Sequence, residues 1–486
     1  MLAQAVPTPE LDLAPIGPEL VLDGAAVAAL LLDAFRPSRS RRTLLGIALA
    51  GLAGAAVASL ALWDREGPAT VLGGMVAADR FAVAARLVLL AAATLGALYA
   101  THYFERLGED PGELYALLLF ATSGMTLIAA AADLLVTFLA LEVLSLSLYV
   151  LTGLTFRLPA GEAAMKYFLL GAFSSAFFLY GVAFAYGASG TTSIGGLALA
   201  LAGRTGSPGL ALAAAAFLAV GFGFKVSAVP FHMWTPDVYQ GAPTPITGFM
   251  SAATKVAAFA ALIRAFDVGL APLAWDWTPV VWALAAASVV LGSVVAIAQT
   301  DVKRMLAYSS IAHAGFILTG LVAPDQVGIR SALFYLVAYA AMILGAFGVV
   351  MLVSGRGEER TGLGAYAGLA RRSPLLAGLM SLFLLSLAGI PPTAGFVAKV
   401  GVFLAAVRAG RWELAAVGVL ASVVAAFFYL RVIVLMYMRE PEGEGEPDPT
   451  PWPRAAVAVP ALVTLALGVF PQLVLGLLER AAVLRW

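Results

Sequence analysis

Apolar blocks of about twenty residues recur along the whole chain, parted by short runs that gather prolines, glycines and charges. A bilayer core about 30 Å thick is crossed by about 20 apolar residues in helix, so each block predicts one span. Read on that window, the blocks predict about 14 helices, near 18–35, 43–63, 81–101, 113–131, 132–153, 164–187, 208–229, 244–265, 279–299, 304–323, 328–354, 374–408, 413–437 and 454–478. Only Ala131, Ala132 and Asp133 part the fourth from the fifth, and Asp133 is expected to cap the fifth. The block 374–408 is too long for one straight span and has Pro391 and Pro392 in its middle, so it is expected as one broken helix. The alternating segments of about ten residues that mark a membrane barrel are not the pattern here.

Composition sharpens this to an all-α polytopic membrane protein. The 486 residues are 61% apolar and 12% charged, with mean hydropathy +0.93. A soluble domain is about 45–50% apolar and about 25% charged. Cysteine is absent, which excludes disulfides, thiolate metal sites and Cys-held iron–sulfur clusters. Three histidines make a multi-haem carrier improbable. No Walker loop or dinucleotide fingerprint is present, so the chain itself is not expected to harvest ATP or NADH. The first 17 residues lack the basic and continuously apolar regions of a signal peptide. The stretch Glu440–Asp448 reads as a solvated, disordered loop.

Arginine and lysine in the short loops set the orientation. The run RPSRSRR at 36–42 carries four arginines, and further basic loops follow on the same side. Both termini are therefore expected outside, with the basic loops in the cytoplasm. Arg65, Arg80, Arg264, Arg408, Arg411 and Arg480 fall on the other side and weaken the bias.

The chain has only five lysines, at 166, 225, 255, 303 and 399. A charge at mid-membrane costs at least about 2.5–3.5 kcal/mol, so charges deep in a span mark function by default. Glu142, Lys225, Lys255 and Lys399 lie deep. Glu142 reads either as a neutral carboxyl bonded to a nearby Ser or Thr, or as a carboxylate paired with a buried lysine. Lys225 precedes Pro230 and Lys399 follows Pro392, so each sits on a helix expected to break. Two unrelated proline kinks with snorkelling lysines are the plain alternative. Lys255 is near mid-span, where snorkelling is poor. His313 is either a satisfied core histidine or a proton-handling group. Lys303 reads as an interfacial anchor. Lys166 lies near a span edge with Glu162 at i−4, a spacing that supports a surface pair; its other reading is a group linking water to the buried row.

Spacing points to a duplication. Glu142 and Lys225 are 83 positions apart, and His313 and Lys399 are 86 apart. Five spans per repeat would force opposite topology, giving two inverted repeats each with a broken helix. The expected division is 1–112 for three leading helices, 113–265 and 266–440 for the repeats, and 441–486 for the acidic loop and last helix.

In order, the segments LALEVLSLSLYVLTG, EAAMKYFLLGAFSSAFFLYG, GFKVSAVPFHMWTPDVYQGAPTPITGFMSAATKVAAF, DVKRMLAYSSIAHAGF and GIPPTAGFVAKV resemble the antiporter-like membrane subunits of respiratory complex I. The likeness covers roughly residues 80–440, and PFHMWTPDVYQGAPTP is its most specific part. Among the branches it is most similar to N, because no lateral helix follows the last span and Lys399 stands where the M branch would carry a glutamate. The resemblance implies a non-redox, proton-translocating subunit of an NADH–quinone oxidoreductase. It implies no cofactor in this chain, with FMN, Fe–S clusters and quinone held by partner subunits. It implies a coupling pair of Glu142 and Lys225, a central relay at Lys255, an exit-side Lys399, and His313 in a connecting polar row. Lys166 matches a lysine at the start of the sixth span. A subunit of a multisubunit cation/proton antiporter or membrane hydrogenase would use the same residues, and a purely structural membrane subunit is the third possibility.

Overall fold

A computed structural model of the chain describes residues 12–36, 41–109, 111–355, 359–441 and 446–484. Most of the signal-peptide reading, the centre of RPSRSRR and the middle of the acidic stretch fall outside those residues. The chain runs through α1 (Gly17–Phe35), α2 (Arg41–Ala61), a two-stranded hairpin (Thr70–Val71 with Val76–Ala77), α3 (Arg80–Leu107), α4 (Glu113–Ala130), α5 (Leu134–Thr152) and α6 (Leu158–Ser189). A short α7 (Ile194–Ala202) leads to α8 (Pro208–Val226), α9 (Trp234–Gly241), α10 (Thr244–Ile263), α11 (Ala274–Ile297), α12 (Val302–Leu321) and α13 (Gln326–Val353). The rest is α14 (Leu369–Arg372), α15 (Pro374–Ala388), α16 (Ala394–Arg408), α17 (Trp412–Met438), α18 (Pro451–Val469) and α19 (Gln472–Ala481).

Among the described residues, 12 helices are long and apolar enough to cross a membrane. Helix α12 and the halves α15 and α16 are not among them. The weak boundary after Ala130 is real, because Asp133 accepts from the amides of Leu135 and Val136 and so starts a new helix. The block 374–408 is broken as expected, between Ala388 and Ala394. The last block is not one helix. Phe470 and Pro471 divide it into α18 and α19. The hairpin, α7 and α9 were not foreseen, since none carries an apolar block of membrane length.

Helix α10 is the axis of the molecule and is buried along its whole length, with α13 packed beside it. Such close packing rests on small residues. A Cβ on Gly292 of α11 would stand 2.6 Å from the Ala312 nitrogen and 2.8 Å from the Tyr308 oxygen of α12. A Cβ on Gly124 of α4 would stand 2.8 Å from both the Ala140 oxygen and the Leu144 nitrogen of α5.

That likeness of α4–α5 to α11–α12 extends to the helix starts. Asp133 caps α5, accepts from the Thr192 hydroxyl at 2.6 Å, and Leu134 N–H donates to the Thr192 carbonyl at 2.9 Å. Asp301 caps α12, accepts from the Thr361 hydroxyl, and Val302 N–H donates to the Thr361 carbonyl at 2.7 Å. These contacts align Ser145 with His313 and Glu142 with Ser310. Counted from the two caps, Glu142 thus stands one helical turn before the position of His313.

Arg264 is not a loop charge that weakens the orientation. It is buried, and its guanidinium meets both oxygens of Asp79 at 2.6 and 3.0 Å. Arg86 pairs with Glu19 in the same way, at 2.9 and 3.0 Å. Both are bidentate, the geometry in which a buried pair best recovers its desolvation.

Candidate functional site

Pro230 and Pro392 each remove the amide that a helix would offer to the carbonyl four residues earlier. The orphaned carbonyls are those of Val226 and Ala388. Each is followed by a residue in the left-handed region, Ser227 at φ 65° and Gly389 at φ 87°, which ends the first half-helix. In an apolar interior such a carbonyl must find another donor. Both find a lysine. Lys255 Nζ donates to the Val226 carbonyl at 2.8 Å, and Lys399 Nζ donates to the Ala388 carbonyl at 2.8 Å. Both lysines are buried, at 1% and 4% exposure. The two breaks are thus finished alike, by Lys255 and Lys399. Lys225 holds a different place, before its break rather than after it.

Lys225 Nζ donates to the Ser145 hydroxyl at 2.7 Å and lies between the rings of Tyr167 and Tyr149, at 5.5 and 5.7 Å. Glu142 does not touch it. The Glu142 carboxylate instead accepts from Ser175 of α6 and is half-buried. The expected pair is therefore open in this structure: one helical turn separates Glu142 from Ser145, and each partner is held by a serine.

A polar network continues from the Lys255 helix. One turn before Lys255, the Ser251 hydroxyl bonds that of Tyr339 at 3.0 Å, and Tyr339 donates to Ser310 at 2.9 Å. Tyr239 reaches the same two serines. Ser310 lies three residues from His313, whose Nδ1 and Nε2 face the hydroxyls of Tyr335 at 2.8 Å and Tyr429 at 3.4 Å. Phe316 lies between this histidine and Lys399, whose Nζ is 4.6 Å from the ring centre. Lys225, Lys255, His313 and Lys399 are thus all buried, with the Val226 carbonyl beside Lys225 held by Lys255, the hydroxyls of Ser251, Tyr339 and Ser310 joining the helices of Lys255 and His313, and the Phe316 ring between His313 and Lys399.

Lys166 lies apart from these four. It pairs with Glu162 at 2.7 Å, the i−4 contact its spacing predicts, and with Asp237 at 2.9 Å, and its side chain is 43% exposed. Arg304 bonds the other oxygen of Asp237 at 2.6 Å. Lys303 departs from expectation, because it is not an interfacial anchor. It is fully buried, and its Nζ donates to the Ala242 carbonyl at 2.6 Å and to Glu359 at 2.7 Å. Glu359 also accepts from the Thr244 amide at 2.8 Å and hydroxyl at 2.7 Å, so it caps the central helix α10. Sequence reasoning missed Glu359, since a glutamate in a charged loop looks solvated. Burial would raise its carboxyl, but Lys303 and the Thr244 bonds hold it below the ordinary glutamate range. Among the described residues, no group of three or more His, Cys, Asp or Glu is placed to hold a metal ion.

Residues 131–425 match the family described as NADH:quinone oxidoreductase/Mrp antiporter, transmembrane. An NADH-quinone oxidoreductase subunit N from Rhodococcus opacus is 48% identical, over 99% of this chain and 98% of its own length. The chain belongs to the NADH:quinone oxidoreductase/Mrp antiporter family, in its subunit N branch. A chain of respiratory complex I from Thermus thermophilus shares the fold with TM-score 0.80 and 38% identity, covering 95% of this chain and 99% of that one. A chain of an archaeal membrane-bound sulfane sulfur reductase superposes with TM-score 0.83 at 26% identity, covering 97% and 96%. Sequence identity is thus higher to that complex I chain than to that reductase chain.

Proposed function

We propose that the chain is the subunit N of a bacterial proton-translocating NADH–quinone oxidoreductase, and that the buried row carries its protons. The observation that carries this reading is the placement of Lys225, Lys255, His313 and Lys399 inside the apolar core, with Ser251, Tyr339 and Ser310 joining the Lys255 and His313 helices and Tyr335 bonded to His313. A purely structural subunit has no use for charges that cost at least about 2.5–3.5 kcal/mol each. The chain is a non-redox subunit. FMN, Fe–S clusters and quinone belong to partner subunits of the same assembly, and their energy reaches this chain as a displacement of charge.

Glu142 is the receiving group. When it closes on Lys225 the ammonium is stabilised, and when it is drawn back to Ser175 the buried ammonium gives up its proton. The proton passes by Lys255 and the hydroxyl network to His313 and Lys399, and leaves on the outer side. Moving one charge against 100 mV costs about 2.3 kcal/mol, which one buried ion pair can match.

The topology that fits this role has 14 spans. These are the 12 apolar helices, α12, and α15 with α16 as one broken span. Spans four to eight and nine to thirteen form two inverted repeats, over 113–265 and 266–440, between leading helices at 1–112 and a C-terminal part at 441–486. The two alike helix starts at Asp133 and Asp301 and the two lysine-finished breaks support it. Both termini lie on the periplasmic side of the inner membrane.

The test is Lys225→Ala in the assembled complex. It is expected to keep NADH–quinone turnover and lose proton pumping in sealed vesicles. Normal pumping by that variant overturns the reading.

A further inference from the structure

The row needs a route from water, and Glu359, the partner of buried Lys303, lines a cavity. A cavity of about 580 Å³ opens at the end of the molecule where α6, α10 and α12 start. Tyr103, Arg157, Gln240, Pro243, Glu359 and Thr361 line it. Glu359 is 18% exposed and Lys303 not at all, so the carboxylate stands between the cavity and the ammonium. Among the described residues, Lys303 and Glu359 form a closed carboxylate–lysine pair at 2.7 Å, whereas Glu142 and Lys225 are apart.

Two helix faces lead inward from it. On α12, Lys303, Ser310 and His313 follow at intervals of seven and three residues, which is one face of a helix. On α10, Thr244, Thr247, Ser251 and Lys255 follow at intervals of three, four and four. Both faces meet at the Ser251–Tyr339–Ser310 bonds. Ala242 joins them at the mouth: its carbonyl accepts from Lys303, and Thr247 lies one turn into α10.

We propose that this cavity is the proton intake of the chain, that Lys303 is the group loaded from its water, and that Glu359 is the positioning residue that keeps Lys303 loaded. In the step, Lys303 Nζ releases a proton towards Ser310 and His313, breaking one N–H bond, and forms another with a proton that cavity water passes in beside Glu359; the O–H bond broken in that water is remade from bulk water, so the net change is one proton taken from the cavity side. The inference rests on the proton-translocating reading above and adds where the protons are collected.

Glu359→Gln tests it. The amide oxygen can still accept from Thr244, so the cap on α10 survives, but the negative charge beside Lys303 is gone. In the assembled complex in sealed vesicles, quinone-linked proton uptake is expected to fall about tenfold. Glu359→Asp is expected to restore at least half of it. Glu413→Gln, which removes an exposed carboxylate at the start of α17, is expected to pump as the unaltered chain does. Unaltered pumping by Glu359→Gln, or an equal loss in Glu413→Gln, overturns the inference. Should Glu359→Gln fail to assemble, Gln240→Cys gives a second measure, because the chain has no cysteine of its own. A bulky cationic thiol reagent added to the cavity side is expected to slow pumping by that variant, and full pumping after complete labelling overturns the proposal. If Lys225→Ala loses pumping and Glu359→Gln pumps normally, only the intake fails. If Lys225→Ala pumps normally, the functional reading itself fails.

Discussion

At the scale of single residues, the lysines divide by what they hold. Lys255 and Lys399 each satisfy a backbone carbonyl that a proline has orphaned, whereas Lys225 bonds a serine hydroxyl. Removing Lys255 or Lys399 therefore strands a buried acceptor, which costs about 1–3 kcal/mol. Removing Lys225 strands nothing, since Ser145 still donates to the Leu141 carbonyl. Lys255→Met and Lys399→Met are expected to lower the thermal midpoint of the detergent-solubilised assembly as well as its pumping. Lys225→Ala is expected to lose pumping with little change in midpoint. Equal midpoints for all three would show that the carbonyl bonds contribute nothing. The prolines, and hence both breaks, were legible in the sequence. Which lysine finishes each break was not, because the donor to Val226 comes from a different helix and the donor to Ala388 from the second half of the same broken one.

At the scale of helices, the apolar blocks located the long elements because lipid-facing and core-facing residues are alike in hydropathy. They could not locate α7, α9 or the hairpin, which are short and held by contacts distant in sequence. The register between helices was equally hidden, since it is written in glycines whose partners lie elsewhere. Gly315 of α12 is such a point: a Cβ there would stand 2.6 Å from Val289 Cγ2 and 2.7 Å from both the Ala285 oxygen and the Val289 nitrogen of α11. Two of these are backbone atoms, so the helices must separate rather than a side chain turn. His313, two residues away, would shift from Tyr335. Gly315→Ala is expected to cost about 1–3 kcal/mol of stability and to slow pumping. Gly378→Ala on α15, where nothing lies within 4 Å, is the control and is expected to change neither. A normal midpoint for Gly315→Ala would mean that α11 and α12 can slide apart freely.

At the scale of the whole molecule, residues that looked solvated proved to be ties between distant parts, because folding covers polar groups that local composition assigns to water. The acidic stretch shows this best. Its end, Asp448, is buried against α3, with His102 Nε2 at 2.7 Å from one oxygen and the Thr450 amide donating to the other at 2.9 Å. Its amide donates to the Leu352 carbonyl at 2.9 Å, and Arg454 of α18 donates to its carbonyl at 2.6 Å. One aspartate thus joins α3, α13 and α18. Burial pushes its carboxyl up, but the bonds from Thr450 and His102 outweigh this and hold it below the ordinary aspartate range. The folded chain therefore binds this proton less readily than the unfolded chain, and Asp448 adds stability that is fully present above the unfolded value of about 3.9. That stability is lost as pH falls through the lower folded value. Asp448→Asn is expected to destabilise the assembly by about 1 kcal/mol at pH 7, seen as a lower thermal midpoint and faster protease cleavage between α17 and α18. The gap between variant and unaltered chain should narrow as pH is brought below about 4. A gap that stays constant with pH would mean that the carboxylate's charge has no part in docking α18, leaving the backbone bonds of Asp448 to do it.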